Sequence, residues 1–185
     1  MKKHHLKWVM RTALMTFLLA VLFSLIAEAI MRHVNVVAAF LLLLLIIFIG
    51  VFFDAIGIAV AAADEKPFHA MASARIKSAK YSLRLIKNAP KVSNFCNDVV
   101  GDIAGIISGT AIGIIIGFLS GSEWTVVQQT YFSIIFSGSV AALTVGGKAL
   151  GKEFAISKSK EVVDFTGRVI YAFYRGFAFL GKRGD

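Results

Sequence analysis

Runs without an ionisable side chain alternate along the chain with runs crowded by Lys and Arg. Val36–Phe53 carries no charge, whereas the segments 66–91 and 148–183 are rich in basic residues. About 20 consecutive apolar residues are needed to cross the hydrocarbon core of a bilayer. Four segments meet that length: Thr12–Met31, Val36–Ala63, Asn97–Leu119 and Val126–Gly147. The pattern predicts an all-α polytopic membrane protein with four transmembrane helices and additional interfacial helices on the cytoplasmic side. The first run follows Lys2, Lys3 and Lys7 as a secretory signal would, but it is longer than a signal core and reads as a retained span.

Between the first two spans lies only Arg32-His33-Val34-Asn35, a tight hairpin. The segment Gly121-Ser122-Glu123-Trp124-Thr125 makes an equally short turn between the third and fourth, with Trp124 as an interfacial anchor. The longer connection, residues 64–96, places Lys77, Lys80, Arg84, Lys87 and Lys91 at helical spacing beside a second stripe of Ala72, Ile76, Ala79, Leu83 and Ile86. One amphipathic helix on the membrane surface is expected there, started by Pro67 and stopped by Pro90. The remainder, 148–185, is expected to form a juxtamembrane helix and tail, because Asp164, Arg168 and Arg175 would be costly inside lipid. All these parts belong to a single transmembrane domain, 1–185.

Gly101, Gly105, Gly109, Gly113, Gly117 and Gly121 fall at every fourth position of the third span. Each glycine costs about 1 kcal/mol relative to alanine in a helix. Such a glycine-zipper stripe predicts close backbone approach by another helix, with Ser133, Ser137 and Ala141 of the fourth span as matching small partners.

Composition agrees with lipid as the solvent, since 57% of the 185 residues are apolar. The net charge of +9 flanks apolar spans rather than covering a soluble platform with interleaved aromatics, so nucleic acid is not an expected partner. Nineteen of the 20 Lys and Arg residues fall before the first span, in the middle connection or in the tail, and only Arg32 falls in a hairpin. The positive-inside rule then puts both termini in the cytoplasm, and the expected location is the cell's inner (plasma) membrane. Cys96 is the sole cysteine, so no intramolecular disulfide can form. No nucleophile elbow, phosphate loop or zinc motif occurs, so an enzyme is not expected and no organic cofactor is implied.

Ionisable residues inside spans are expensive and are functional candidates by default. Asp54 is the deepest, on the order of 14 Å from the cytoplasmic end of the second span at 1.5 Å per residue. Asp102 lies near the start of the third span with Asn97 and Asp98 one turn below, and Lys148 ends the fourth. Glu28 and Arg32 have the spacing of a local surface pair. Carboxylate and amide oxygens suit a hard cation such as Mg2+, which keeps part of its water shell. Asp54 and Asp102 could frame such a site; equally, Lys148 or a helix N-terminal dipole could neutralise them.

The order of parts resembles the transmembrane domain of the CorC/CorB and cyclin M magnesium transporters over roughly residues 45–175. Phe53-Asp54-Ala55-Ile56-Gly57 stands where that family has a Ser-Gly-Ser-Glu-like stretch, and Gly101-Asp102 is similar to its Gly-Asn pair. Gly147-Lys148-Ala149-Leu150-Gly151-Lys152 stands where it has Gly-Glu-x-x-Pro-Lys. The resemblance implies a homodimeric divalent-cation transporter, with Asp54, Asp102 and Lys148 at the positions of the family's cation-holding residues. The first span would be an addition, and the family's cytoplasmic nucleotide module has no counterpart here. A charged lysine cannot ligate magnesium, which frames an alternative: a non-transporting scaffold or accessory subunit in which Lys148 replaces the ion. A third expectation is a lipid-interacting protein that uses its two basic amphipathic segments.

Overall fold

The computed structural model describes residues 3–31, 33–120 and 124–181, and among them the chain is helical with no strand. The helices are α1 (Lys3–Met31), α2 (Val36–Ala62), α3 (Lys66–Ser73), α4 (Ala79–Lys87) and α5 (Ala89–Asn94). A π-helical stretch (Phe95–Val100) leads into α6 (Gly101–Leu119), followed by α7 (Val126–Ser157) and α8 (Ser159–Gly181). Four helical segments are long and apolar enough to cross a membrane: Val9–Met31, Val36–Ala62, Ala89–Leu119 and Val126–Ser157. They leave large apolar side chains outward, among them Leu41, Leu45 and Phe48 on α2 and Tyr131, Ile134 and Ile135 on α7. Exposure of that kind costs about 25 cal/mol per Å² in water and nothing in hydrocarbon. The protein is an all-α polytopic membrane protein.

Side-chain caps start two of the spans. The Ala38 N–H donates to Asn35 Oδ1 at 2.9 Å, opening α2. At α7 the Gln128 N–H donates to Thr125 Oγ1 (3.3 Å) while the Thr125 N–H donates to Gln128 Oε1 (3.0 Å), a reciprocal capping box. Arg32, Gly121, Ser122 and Glu123, assigned above to the hairpins and the glycine stripe, lie outside the described residues, as do Lys2, Lys182 and Arg183.

The middle connection corrects the single-helix expectation, because it folds as three short helices. Pro67 lies in the first turn of α3 as expected, but Pro90 lies in the first turn of α5, so it starts a helix instead of stopping one. The break after α3 is a Schellman turn, in which the Ile76 N–H donates to Met71 O and the Arg75 N–H to Ala72 O, both at 3.0 Å. Arg75 holds the left-handed position at φ 60°, which glycine usually takes; a side chain there costs about 1–2 kcal/mol. The third and fourth spans also run on as helix beyond the limits read from hydropathy, back to Ala89 and forward to Ser157. Lys148 is therefore interior to α7, not at its end.

The chain divides into two compact units. One comprises residues up to Val51 together with Val99–Gly147. Its core joins Met31, Ala39, Leu43, Ile47, Ala111, Ile115 and Val140, and α1 packs along α6, so the first span is an integral part of this unit. The close approach of α2 to α6 is made at Gly50, where a methyl group would come 2.9 Å from Ala104 Cβ.

The other unit comprises Phe52–Asp98 and Lys148–Asp185. Phe68, fully buried, centres a cluster with Ile56, Ala59, Val60, Ile86, Ala155 and Val163. Helix α4 lies along α8, and the contact is tight because the buried Ser82 Oγ donates to Val163 O (3.2 Å) opposite Gly167. A methyl group at Gly167 would collide with Ser82 Oγ and come within 3.1 Å of the Ser82 backbone nitrogen.

The glycine stripe corrects a second expectation. Among the described residues nothing lies within 4 Å of a methyl group built at Gly105, Gly109, Gly113 or Gly117. Helix α6 packs through Ile103, Ala104, Ile107, Ser108, Ala111 and Ile115 instead, and the glycines line an open face of the unit. Glycines can face lipid because the helix satisfies its own backbone N–H and C=O groups, and the larger aliphatic side chains gain more contact by packing inward.

Candidate functional site

The sharpest local irregularity in a membrane-spanning segment is the π-helical stretch Phe95–Val100, where the helix widens by one residue per turn. It is packed against α2 at Gly57, and an alanine there would collide with Asn97 Oδ1 and press on Cys96 Cβ at 3.0 Å. Glycine at 57 is what lets the widened turn approach. Cys96 is buried in this contact and behaves as a small apolar residue.

Asn97 carries the site's chemistry. Its Nδ2 donates to Ser93 Oγ (3.4 Å), which fixes the amide so that Oδ1 points toward α2. That oxygen is fully buried and has no hydrogen-bond partner. A buried carbonyl oxygen without a donor loses about 1–3 kcal/mol of solvation, and orphaned groups of this kind concentrate where a ligand, ion or water completes them. Asp54, half-buried, lies one turn before Gly57 on the same side of α2. The unit thus holds a half-buried carboxylate and an orphaned amide oxygen on neighbouring helical turns.

The other expected residues divide differently. Asp98 is exposed on the π-helical stretch. Asp102 belongs to the other unit and is exposed in the first turn of α6. Because the helix begins upstream at Ala89, Asp102 is interior to a longer helical run, so an N-terminal dipole gives it little compensation. Lys148 is half-buried, and among the described residues no ion pair joins it to a carboxylate of its own unit. Among the described residues no three His, Cys, Asp or Glu side chains gather as a metal-holding group. Magnesium is commonly held by one or two carboxylates plus waters, so Asp54 with Asn97 is a donor set that ion can use.

The amide oxygen of Asn97 is a candidate from sequence alone, whereas the packing role of Gly57 and the π-helical turn emerge only in the structure. An isolated glycine in an apolar helix is a signal of close backbone approach; the π turn leaves no mark in hydropathy or propensity. A second buried oxygen without a partner, Asp164 Oδ1, belongs to a different arrangement, since its Oδ2 pairs with Arg168 at 2.7 Å one turn along α8. This i, i+4 pair lowers the cost of the charges read as too expensive for a span.

No protein-family model, no curated protein and no solved structure matches the chain.

Proposed function

We propose that the protein is a small divalent-cation transporter of the magnesium type, working as a homodimer in the inner (plasma) membrane with both termini cytoplasmic. The observation that carries this reading is the buried, unpartnered Asn97 Oδ1 at a π-helical turn inside a membrane-spanning segment. A hydrated or partly dehydrated cation supplies what that oxygen lacks, and Asp54, one turn from the contact, supplies the negative charge that makes binding favourable in a low-dielectric setting. The distribution of Lys and Arg supports the orientation, and the order of parts supports the transporter class. The scaffold alternative requires Lys148 to neutralise a carboxylate, and the absence of such a pair within its unit among the described residues ranks it second.

The test is a magnesium titration of the melting temperature of the purified protein at fixed ionic strength, so that screening is not mistaken for binding. Saturable stabilisation of the wild type is expected, lost in Asp54→Asn and in Asn97→Ala and retained in Asp98→Asn. A wild type indifferent to magnesium would refute the site. Uptake of the ion into proteoliposomes separates a transporter from a protein that only binds it.

A further inference from the structure

Between α3, α4 and α8 lies an open groove of about 700 Å³ whose rim holds Arg75, Lys77, Lys80, Arg84 and Lys87. Among the described residues no acidic side chain lines it. The five cations converge for a backbone reason. Lys77, Lys80, Arg84 and Lys87 repeat at intervals of three and four along the turn and α4, which puts them on one side. Arg75 joins them from the Schellman turn, where it occupies the left-handed position that glycine would hold at lower cost. Strain retained on a charged side chain in this way marks a position where the side chain is needed.

Its lining also includes the apolar Ala72, Ile76 and Leu83, together with Tyr81 and Tyr171. The Tyr81 ring meets Tyr171 at 5.9 Å and Tyr174 at 5.5 Å, presenting tyrosines of α4 and α8 together. Along α8, Phe165, Val169 and Phe173 are exposed at a spacing of four residues, with Arg168 and Arg175 beside them. An apolar stripe flanked by arginines is the pattern of a helix lying in the headgroup layer, and tyrosine is the residue that bridges apolar and wet surroundings there.

We propose that this groove is a binding site for the phosphate of an anionic phospholipid headgroup, with the arginines and lysines holding the phosphate oxygens and the apolar lining residues Ala72, Ile76 and Leu83 accepting the upper part of the acyl chains. Charge complementarity selects an anion, the apolar lining selects one attached to hydrocarbon, and a membrane-embedded chain meets that ligand at high local concentration. The proposal is independent of ion transport, because none of its residues belongs to the Asp54–Asn97 site.

The experiment measures lipid retention by native mass spectrometry and melting temperature for the full chain in neutral phosphatidylcholine nanodiscs with and without phosphatidylglycerol. Phosphatidylglycerol should stabilise the wild type. Lys80→Gln/Arg84→Gln should weaken its binding about tenfold, while Lys152→Gln/Lys158→Gln, which removes equal charge outside the groove, should leave it unchanged. Arg75→Gly places the favoured residue in the turn, so it should be at least as stable as wild type in phosphatidylcholine and still bind phosphatidylglycerol more weakly. Equal losses in the groove and control variants would overturn the site in favour of diffuse surface attraction. Saturation of the groove by inorganic phosphate or pyrophosphate in phosphatidylcholine discs, to the same stabilisation, would overturn the lipid assignment.

Discussion

Helix α2 and helix α6 are both apolar and both contain glycine, yet the glycines do opposite things. On α2 they are isolated: Gly50 lets Ala104 approach and Gly57 admits the π-helical turn at Asn97. On α6, Gly105, Gly109, Gly113 and Gly117 recur at every fourth position, and a methyl group at any of them would meet nothing within 4 Å among the described residues. Periodicity establishes that residues share a face; it does not say which way the face looks. An apolar helix has no polar side to orient it, so in lipid the direction is decided by which face interlocks best with neighbours, and on α6 the branched residues at 103, 107 and 115 win.

The largest effects are expected where a glycine is a joint. Gly57→Ala and Gly167→Ala should each destabilise the protein by about 1–3 kcal/mol, the usual range for forcing extra atoms into a packed contact. Gly167→Ala should be the worse of the two, because backbone as well as side-chain atoms of Ser82 lie in the way. The Gly167→Ala/Ser82→Gly double variant removes the collision with Ser82 Oγ and should recover part of the loss. The measurement is equilibrium unfolding in detergent; wild-type stability for both single variants would mean these contacts are looser than described.

Gly50→Ala should cost less, about 1 kcal/mol, because the obstacle is a single methyl group on Ala104. Coupling to Gly147→Ala sharpens it. A methyl group at Gly147 meets Val51 Cγ2 at 3.2 Å, on the residue next to Gly50. Losses in the double variant that differ from the sum by more than about 0.5 kcal/mol would show that the two contacts share one packed region.

How far the fold could be read ahead depended on what each signal measures. Hydropathy marks where lipid stops, and it located all four spans; it does not mark where a helix stops. Lys148, Lys152 and Glu153 end the apolar run of α7 while the backbone continues to Ser157, and Asn94, Asn97 and Asp98 interrupt hydropathy while the helical run begins at Ala89. The split between α3 and α4 was hidden because the left-handed residue is Arg75, with no glycine or proline between residues 68 and 89 to announce it. The caps left a mark in residue type that hydropathy does not use: Asn35 stands before an apolar run, and Thr125 three residues before Gln128. At the candidate site, oxygen-bearing residues in a span identified Asn97 and Asp54, but the orphaned state of Asn97 Oδ1 depends on tertiary packing that no local pattern encodes.

The smallest effect carries the opposite sign. Gly109→Ala and Gly113→Ala add a methyl group into open space, so only helix propensity acts, and each should stabilise the chain by up to about 1 kcal/mol. The gain is a direct reading of the stripe as an open face. If a second copy of the chain covers that face in the membrane, alanine will instead weaken the assembly, and Gly109→Leu will do so more strongly. Unfolding measured alongside oligomeric state separates the cases: stabilisation with unchanged mass shows a face left to lipid, whereas loss of a dimer together with lower stability shows that the stripe packs between protomers. The contrast with Gly57 then rests on sign as well as size. A joint inside the chain loses stability at any protein concentration, but a face between copies loses it only where the copies are associated.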